Sequence, residues 1–148
     1  MQSNSKVIIG IDPDTDKNGV AVRINKNFLL YNFSFFKLYE LLENLKNNTN
    51  FINSEIKVYI ECGFLNKGNR HFKEHESMQF NGKISERVGA NHEIAKKICE
   101  MCEYLKLDYE QVRPTSSKVN SDKFKEITGY EKRSNQEQRD ALMLIWEL

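Results

Sequence analysis

Four carboxylates fall where one site could gather them. Asp12 closes the apolar run Val7-Ile8-Ile9-Gly10-Ile11, Glu61 closes Ile56-Lys57-Val58-Tyr59-Ile60, and Glu137 and Asp140 stand three apart near the C-terminal end. An acid placed where a strand-like run stops projects from the rim of a sheet, and residues at i and i+3 share a helix face. Acids collected in this way hold a divalent metal over a phosphate, because such ions take hard oxygen ligands.

Each acid has a second reading. Asp12 and Glu61 read equally as surface acids that end strands. Ser134-Asn135-Gln136-Glu137 fits a capping box in which Ser134 caps the last helix and Glu137 reaches back to its amide, which would leave Asp140 as the ligand. Asp140 has apolar company in Ala141, Leu142, Leu144 and Ile145, so this helix face turns inward, where an unpaired acid is costly.

Other motifs carry less chemistry. Asp12-Pro13-Asp14-Thr15-Asp16 imitates a calcium loop, but Lys17 takes the glycine position and Arg23 the place of the bidentate Glu. No G-x-x-x-x-G-K-[ST] phosphate loop occurs. His71 and His75 are four apart without a zinc-spaced partner, and read as phosphate contacts or surface residues. Phe72 and Phe80 flank the same stretch and could stack on bases or pack on the core.

The elements that must position the acids follow from periodicity. Strands are expected at 7–12, 20–24 and 28–33, joined by Pro13–Gly19 and Asn25–Asn27, as an antiparallel meander. Apolar residues at helical spacing from Phe35 to Leu45 predict a helix stopped by Asn47-Asn48-Thr49-Asn50. A fourth strand at 56–61 precedes a long loop from Cys62 to about Gly82. Ile84, Val88, Ala95, Ile98, Cys99, Cys102 and Leu105 then mark a long amphipathic helix, in which Gly89-Ala90 reads either as a surface another backbone can approach closely or as a plain destabilising glycine. A short strand at 109–113 stops at Pro114, a short helix lies near 122–127, and a last helix runs from about 135 to 148. This order is mixed α/β. Parallel neighbours in the first and fourth strands would set Asp12 beside Glu61 at the edge where open α/β sheets bind ligands.

With 148 residues and 39% hydrophobic composition, one domain spanning 1–148 with its own core is expected. No apolar run is long enough to cross a bilayer and the polar first residues lack a secretion signal, so a cytoplasmic protein without membrane contact is expected. The three cysteines read as reduced; Cys99 and Cys102 form a C-x-x-C well inside a helix, where the dipole does not activate a thiol, and read as core residues. A net charge of +1 does not announce nucleic acid. Arg113, Lys118, Lys123, Lys125, Lys132, Arg133 and Arg139 nevertheless accumulate beside Glu137 and Asp140.

Ile8-Ile9-Gly10-Ile11-Asp12-Pro13-Asp14 with Gly19-Val20-Ala21-Val22, then Tyr59-Ile60-Glu61, then Glu137-Gln138-Arg139-Asp140-Ala141, resemble in order and spacing the active-site blocks of RuvC-type Holliday junction resolvases, phage-encoded forms above all. The resemblance spans nearly the whole chain. It implies an RNase H-like fold with a five-stranded mixed sheet flanked by helices, and a homodimer that resolves four-way or branched DNA junctions as an endodeoxyribonuclease. It also implies two Mg2+ or Mn2+ ions about 4 Å apart, held by Asp12, Glu61, Glu137 and Asp140 as catalytic ligands, and two-metal phosphodiester hydrolysis. Arg113 and Lys123 match the family's basic residues after the fifth strand, and Lys118 and Arg133 join them as expected nucleic-acid contacts. Two departures stand out: Asp14 replaces the glycine of the family's D-P-G turn, and Glu137 stands where Asp is common. RNases of the YqgF type share the first block, and a non-catalytic nucleic-acid-binding scaffold of the same fold is the other alternative.

Overall fold

Apolar residues dominate both faces of the first strand, and that is why it sits at the centre. In the computed structural model, which describes residues 5–48, 54–66, 78–115 and 117–148 (78–81 as backbone), β1 (Lys6–Asp12) is buried along most of its length. It pairs antiparallel with β2 (Asn18–Ile24), which pairs antiparallel with β3 (Asn27–Phe33). On its other side β1 pairs parallel with β4 (Glu55–Glu61), and β4 pairs parallel with β5 (Asp108–Val112). The order β3-β2-β1-β4-β5 makes one five-stranded mixed sheet. With helices on both faces, this is the RNase H-like architecture.

Side chains alternate along each strand, so each face has its own core. Val7, Ile9, Ile11, Val58 and Ile60 point to one face and pack with Leu38, Leu42 and Leu45 of α1 (Phe35–Asn47) and Ala95, Ile98 and Cys102 of α2 (Met78–Tyr104). Ile8 and Ala21 point to the other and pack with Phe124 of α3 (Ser121–Thr128) and Ala141, Leu142 and Ile145 in and after α4 (Gln136–Met143). Ser34 caps α1 through a hydroxyl that accepts from the Lys37 amide. Asn120 caps α3, and Gly129, at φ 74°, ends it in the left-handed conformation that glycine adopts without strain. All three cysteines are buried and free, as core thiols should be.

Three expectations need correction. The chain is already helical at Met78, inside the stretch read as loop; Asn81 and Gly82, both poor helix formers, break the helical pattern there. The apolar stripe of α2 is buried only from Ala95 onward, and Val88 is exposed; among the described residues nothing lies within 4 Å of where a Cβ on Gly89 would sit. α4 stops at Met143, well short of 148. The carbonyls beyond it are taken by the Arg23 guanidinium, which donates to the oxygens of Ile145 and Trp146 at 2.9 and 3.3 Å and to that of Leu148. Among the described residues, no helix is long and apolar enough to cross a membrane.

Candidate active site

The strand register decides where the first two acids meet. Ile11 of β1 lies opposite Ile60 of β4, so one step further along the same parallel register sets Asp12 beside Glu61. Both belong to the face that α4 covers, since Ile8 and Tyr59 share their parity and pack there. Across the other edge of β1, Asp12 pairs with Gly19 of β2.

Two glycines let α4 come down onto the strands. A Cβ on Gly10 would lie 2.1 Å from the carbonyl oxygen of Ala141, and one on Gly19 would lie 2.1 Å from that of Glu137. The helix backbone therefore rests on the bare strand backbone, which brings Glu137 and Asp140 to the rim where Asp12 and Glu61 stand. All four acids line one cavity of about 370 Å³, together with Asp14, Lys118, Gln136, Gly63, Asn91 and His92.

The capping box forms one residue later than expected. Asn135 Oδ1 accepts from the Gln138 amide at 2.9 Å and Gln138 Oε1 accepts from the Asn135 amide at 3.0 Å. Ser134 and Glu137 are thus not the box, and Glu137 is free of cap duty. Asn135→Ala is expected to cost about 1 kcal/mol in urea unfolding. A larger loss for Ser134→Ala would return the cap to Ser134.

The Asp14 departure is accommodated without glycine. Asp14 Oδ2 accepts from the Asp16 amide at 3.0 Å, and the Asp14 amide donates to Oδ1 of Asn18 at 2.9 Å. Asn18 is fully buried and its Nδ2 donates to the Phe33 carbonyl at 3.1 Å, so the turn after Asp12 is tied to the end of β3. Side-chain acceptors close this turn as Asx turns do.

Electrostatics marks Asp12 as the strained member. Burial, then the charges of Glu61, Asp140 and Glu137, push its carboxyl up to about 8, against the opposing pull of Lys118. Glu61 is raised too, by burial first and by Asp140, again opposed by Lys118. Two recessed acids whose ionisation is opposed by burial and by acidic neighbours make a site waiting for positive charge.

Lys118 supplies part of that charge. Its Nζ lies 2.5 Å from Asp140 Oδ2, while Gln136 Nε2 donates to Asp140 Oδ1 at 2.8 Å. Burial opposes the Lys118 charge, but Asp140 and then Glu61 and Asp12 outweigh it and raise its pKa. Both Asp140 oxygens are engaged, and among the described residues no three His, Cys, Asp or Glu side chains are drawn together for a metal ion. The donor set nevertheless fits Mg2+ or Mn2+ in kind, being carboxylate oxygens whose mutual repulsion a cation would relieve.

Of the other basic residues, Arg113 shares a second cavity of about 170 Å³ with Glu61, Lys118 and Asp140. Lys123 sits on α3 within 3.8 Å of Glu126, away from the acids' cavity, and Arg133 is exposed in the loop before α4. Arg139 is structural: its guanidinium donates to the carbonyls of Val119 and Ser134 at 2.9 and 2.8 Å, clamping the connector onto α4. His71, His75 and Phe72 lie outside the described residues, and Phe80 is described only in its backbone.

Asn91 and His92 escaped the sequence reading. Asn91 Oδ1 is the buried side-chain polar atom without a hydrogen-bond partner among the described residues. Its signal was present, since Asn91 continues the Ala95, Ile98, Cys102 stripe toward the helix start, and a polar residue on an otherwise apolar stripe marks a change of environment.

A five-stranded mixed sheet carrying four acids and a lysine around one rim cavity defines a candidate active site. No family model matches the chain, and no curated protein matches it. Among solved structures it is similar to T. thermophilus RuvC in complex with Holliday junction substrate, with a TM-score of 0.47 and 13% identity over 94% of this chain and 89% of that one.

Proposed function

We propose that this chain is a metal-dependent, structure-selective endodeoxyribonuclease that cuts four-way or otherwise branched DNA by phosphodiester hydrolysis, in the manner of the phage-encoded resolvases its blocks resemble. The observation that carries the reading is the meeting of Asp12, Glu61, Glu137 and Asp140 in one cavity, with Asp12 driven up to about 8 by burial and by its acidic neighbours. Asp12, Glu61 and Asp140 would hold the metal, and Glu137, on its longer arm, would reach it directly or through water. When bound, Mg2+ or Mn2+ as a pair supplies a polarised water and charge stabilisation at the leaving oxygen. The protein's own part is to exclude bulk water with α4 and the Asp12–Asn18 turn and to orient the strand. Lys118 and Arg113 beside the cavity, with Lys123 and Arg133 further out, would grip phosphates and set the register of the DNA without reading its bases. A junction has near two-fold symmetry, so a homodimer presenting two such sites matches it.

Incubation with four-way, flap, duplex and structured-RNA substrates, in Mg2+ or in chelator, tests the proposal. Paired symmetric nicks near the crossover, seen only with metal, are the expected result. Preferential cutting of the RNA, or absence of metal-dependent cutting on every substrate, would overturn it.

A further inference from the structure

Asp140 is the most enclosed end of an ion pair whose other end is free to leave. Its side chain is 10% exposed and that of Lys118 57%. Asp140 rides on a helix pressed against two strands, whereas Lys118 belongs to the irregular connector between β5 and α3. An exposed ion pair contributes little, but a carboxylate this enclosed depends on its partner, since removing the partner strands a buried charge. The ammonium therefore stands among the acids of the cavity, next to an oxygen that a divalent cation would need.

We propose that Lys118 is a tethered counter-ion: it holds the acid cluster together without metal, must leave Asp140 before a divalent cation can bind, and is thereby released to take a phosphate. The inference rests on the proposed function and deepens it, because it makes metal loading and substrate gripping a single exchange. Three observations support it. Lys118 Nζ and Gln136 Nε2 between them occupy both oxygens of Asp140. Among the described residues no three acids are drawn together around one metal position, so loading an ion requires side chains of the cluster to move. Lys118 also borders the second cavity, which it shares with Arg113, so the displaced ammonium has room beside a guanidinium, and two adjacent cations suit a phosphodiester. Asp140 exchanges one positive partner for another of higher charge, and no buried anion is left bare during the exchange.

Calorimetric titration of Mg2+, and in parallel Mn2+, into the full chain without nucleic acid at about pH 8.5 tests the exchange, since at that pH protons no longer dominate the competition for Asp12. Lys118→Met keeps the aliphatic stem and removes the competitor. It is expected to bind metal about tenfold tighter or more, equivalent to about 1.4 kcal/mol, and its metal-free form is expected to melt below the wild type. Arg113→Met, which removes a nearby charge that does not touch Asp140, should gain less than about threefold, because a field effect across the cavity wall is screened. Affinity in Lys118→Met no greater than wild type, or an equal gain in Arg113→Met, would overturn the exchange while leaving the nuclease reading standing. Failure of the wild type and both variants to bind either metal would overturn both.

Discussion

Asp12→Asn is expected to abolish metal-dependent cleavage and, in the same protein, to raise the melting temperature of the metal-free form at pH 8. Loss of a group that organises charge in the transition state costs on the order of 10²–10³-fold in rate, and more when that group is a shared metal ligand. The stability gain has a separate origin. In the fold, the Asp12 carboxyl is raised from 3.8 to about 8 by burial first and then by Glu61, Asp140 and Glu137, so folding favours its protonated form. Below about pH 4 the folded and unfolded chains both carry the proton and the group is neutral in the balance. Between about pH 4 and pH 8 the unfolded chain ionises while the folded one keeps its proton, so stability falls as pH rises through this window and stays low above it. Asparagine has the same shape and no charge, so the variant lacks this slope and should melt higher by about 5 °C or more at pH 8, and by little at pH 4. Mg2+ should stabilise the wild type most at high pH, where no proton competes, and should have little effect on the variant. Retained cleavage in Asp12→Asn would remove Asp12 from the chemistry. A gap in melting temperature between Asp12→Asn and the wild type that does not widen from pH 4 to pH 8 would contradict the burial of this acid among others.

The strand pattern made much of this site legible in the sequence. Asp12 and Glu61 each end an apolar run, and alternation along those runs already sets both on one side of the sheet once the strands lie parallel. Asp140 was legible because its neighbours are apolar on the face that turns inward. The meander, the fourth and fifth strands and the helix over Phe35–Asn47 follow from period and punctuation, whereas the parallel pairing of the first and fourth strands enters only as a condition, one that the register meets.

What was not legible depends on contacts between distant segments. Ser134-x-x-Glu137 and Asn135-x-x-Gln138 are equally good capping boxes on paper, and only the register of α4 on Gly19 selects the second. Beyond the end of the last helix, carbonyls are taken by Arg23, a residue on β2 more than a hundred positions away. Lys118 reads as one basic residue among many; its role against Asp140 exists only because the connector folds back over α4, held by Arg139 and Gln136 on the Val119 carbonyl. Asn91 needed the tertiary structure as well, because its helix had to pass the rim before its amide could line the cavity. In each case local preference allowed two outcomes and packing chose between them.

Gly19→Ala and Gly10→Ala should each act as severe mutations, whereas Gly89→Ala should be mildly stabilising. A Cβ at position 19 would lie 2.1 Å from the Glu137 oxygen and 2.3 Å from its carbonyl carbon, and one at position 10 would lie 2.1 Å from the Ala141 oxygen and 3.1 Å from its carbon. These are backbone atoms of a capped helix, so no side-chain rotation relieves the overlap; α4 must lift off the sheet. Overpacking a core costs about 1–3 kcal/mol where side chains can yield, and a helix that must move as a unit lies at or beyond the upper end. Lifting α4 also carries Glu137 and Asp140 away from Asp12, and a displacement of about 1 Å in a catalytic constellation can cost 10²-fold. Both variants should therefore lose stability in urea unfolding and most metal-dependent cleavage together, with the loss persisting at temperatures where they remain folded. Gly89 sits within α2 with nothing among the described residues inside 4 Å of its Cβ position, so alanine there adds helix propensity without a clash, a gain of about 0.5–1 kcal/mol. The opposite signs separate a glycine required by close packing from one that merely weakens a helix. Gly19→Ala matching the wild type in both measurements would mean that α4 does not rest on β2, and the route by which Glu137 and Asp140 reach Asp12 would be lost with it.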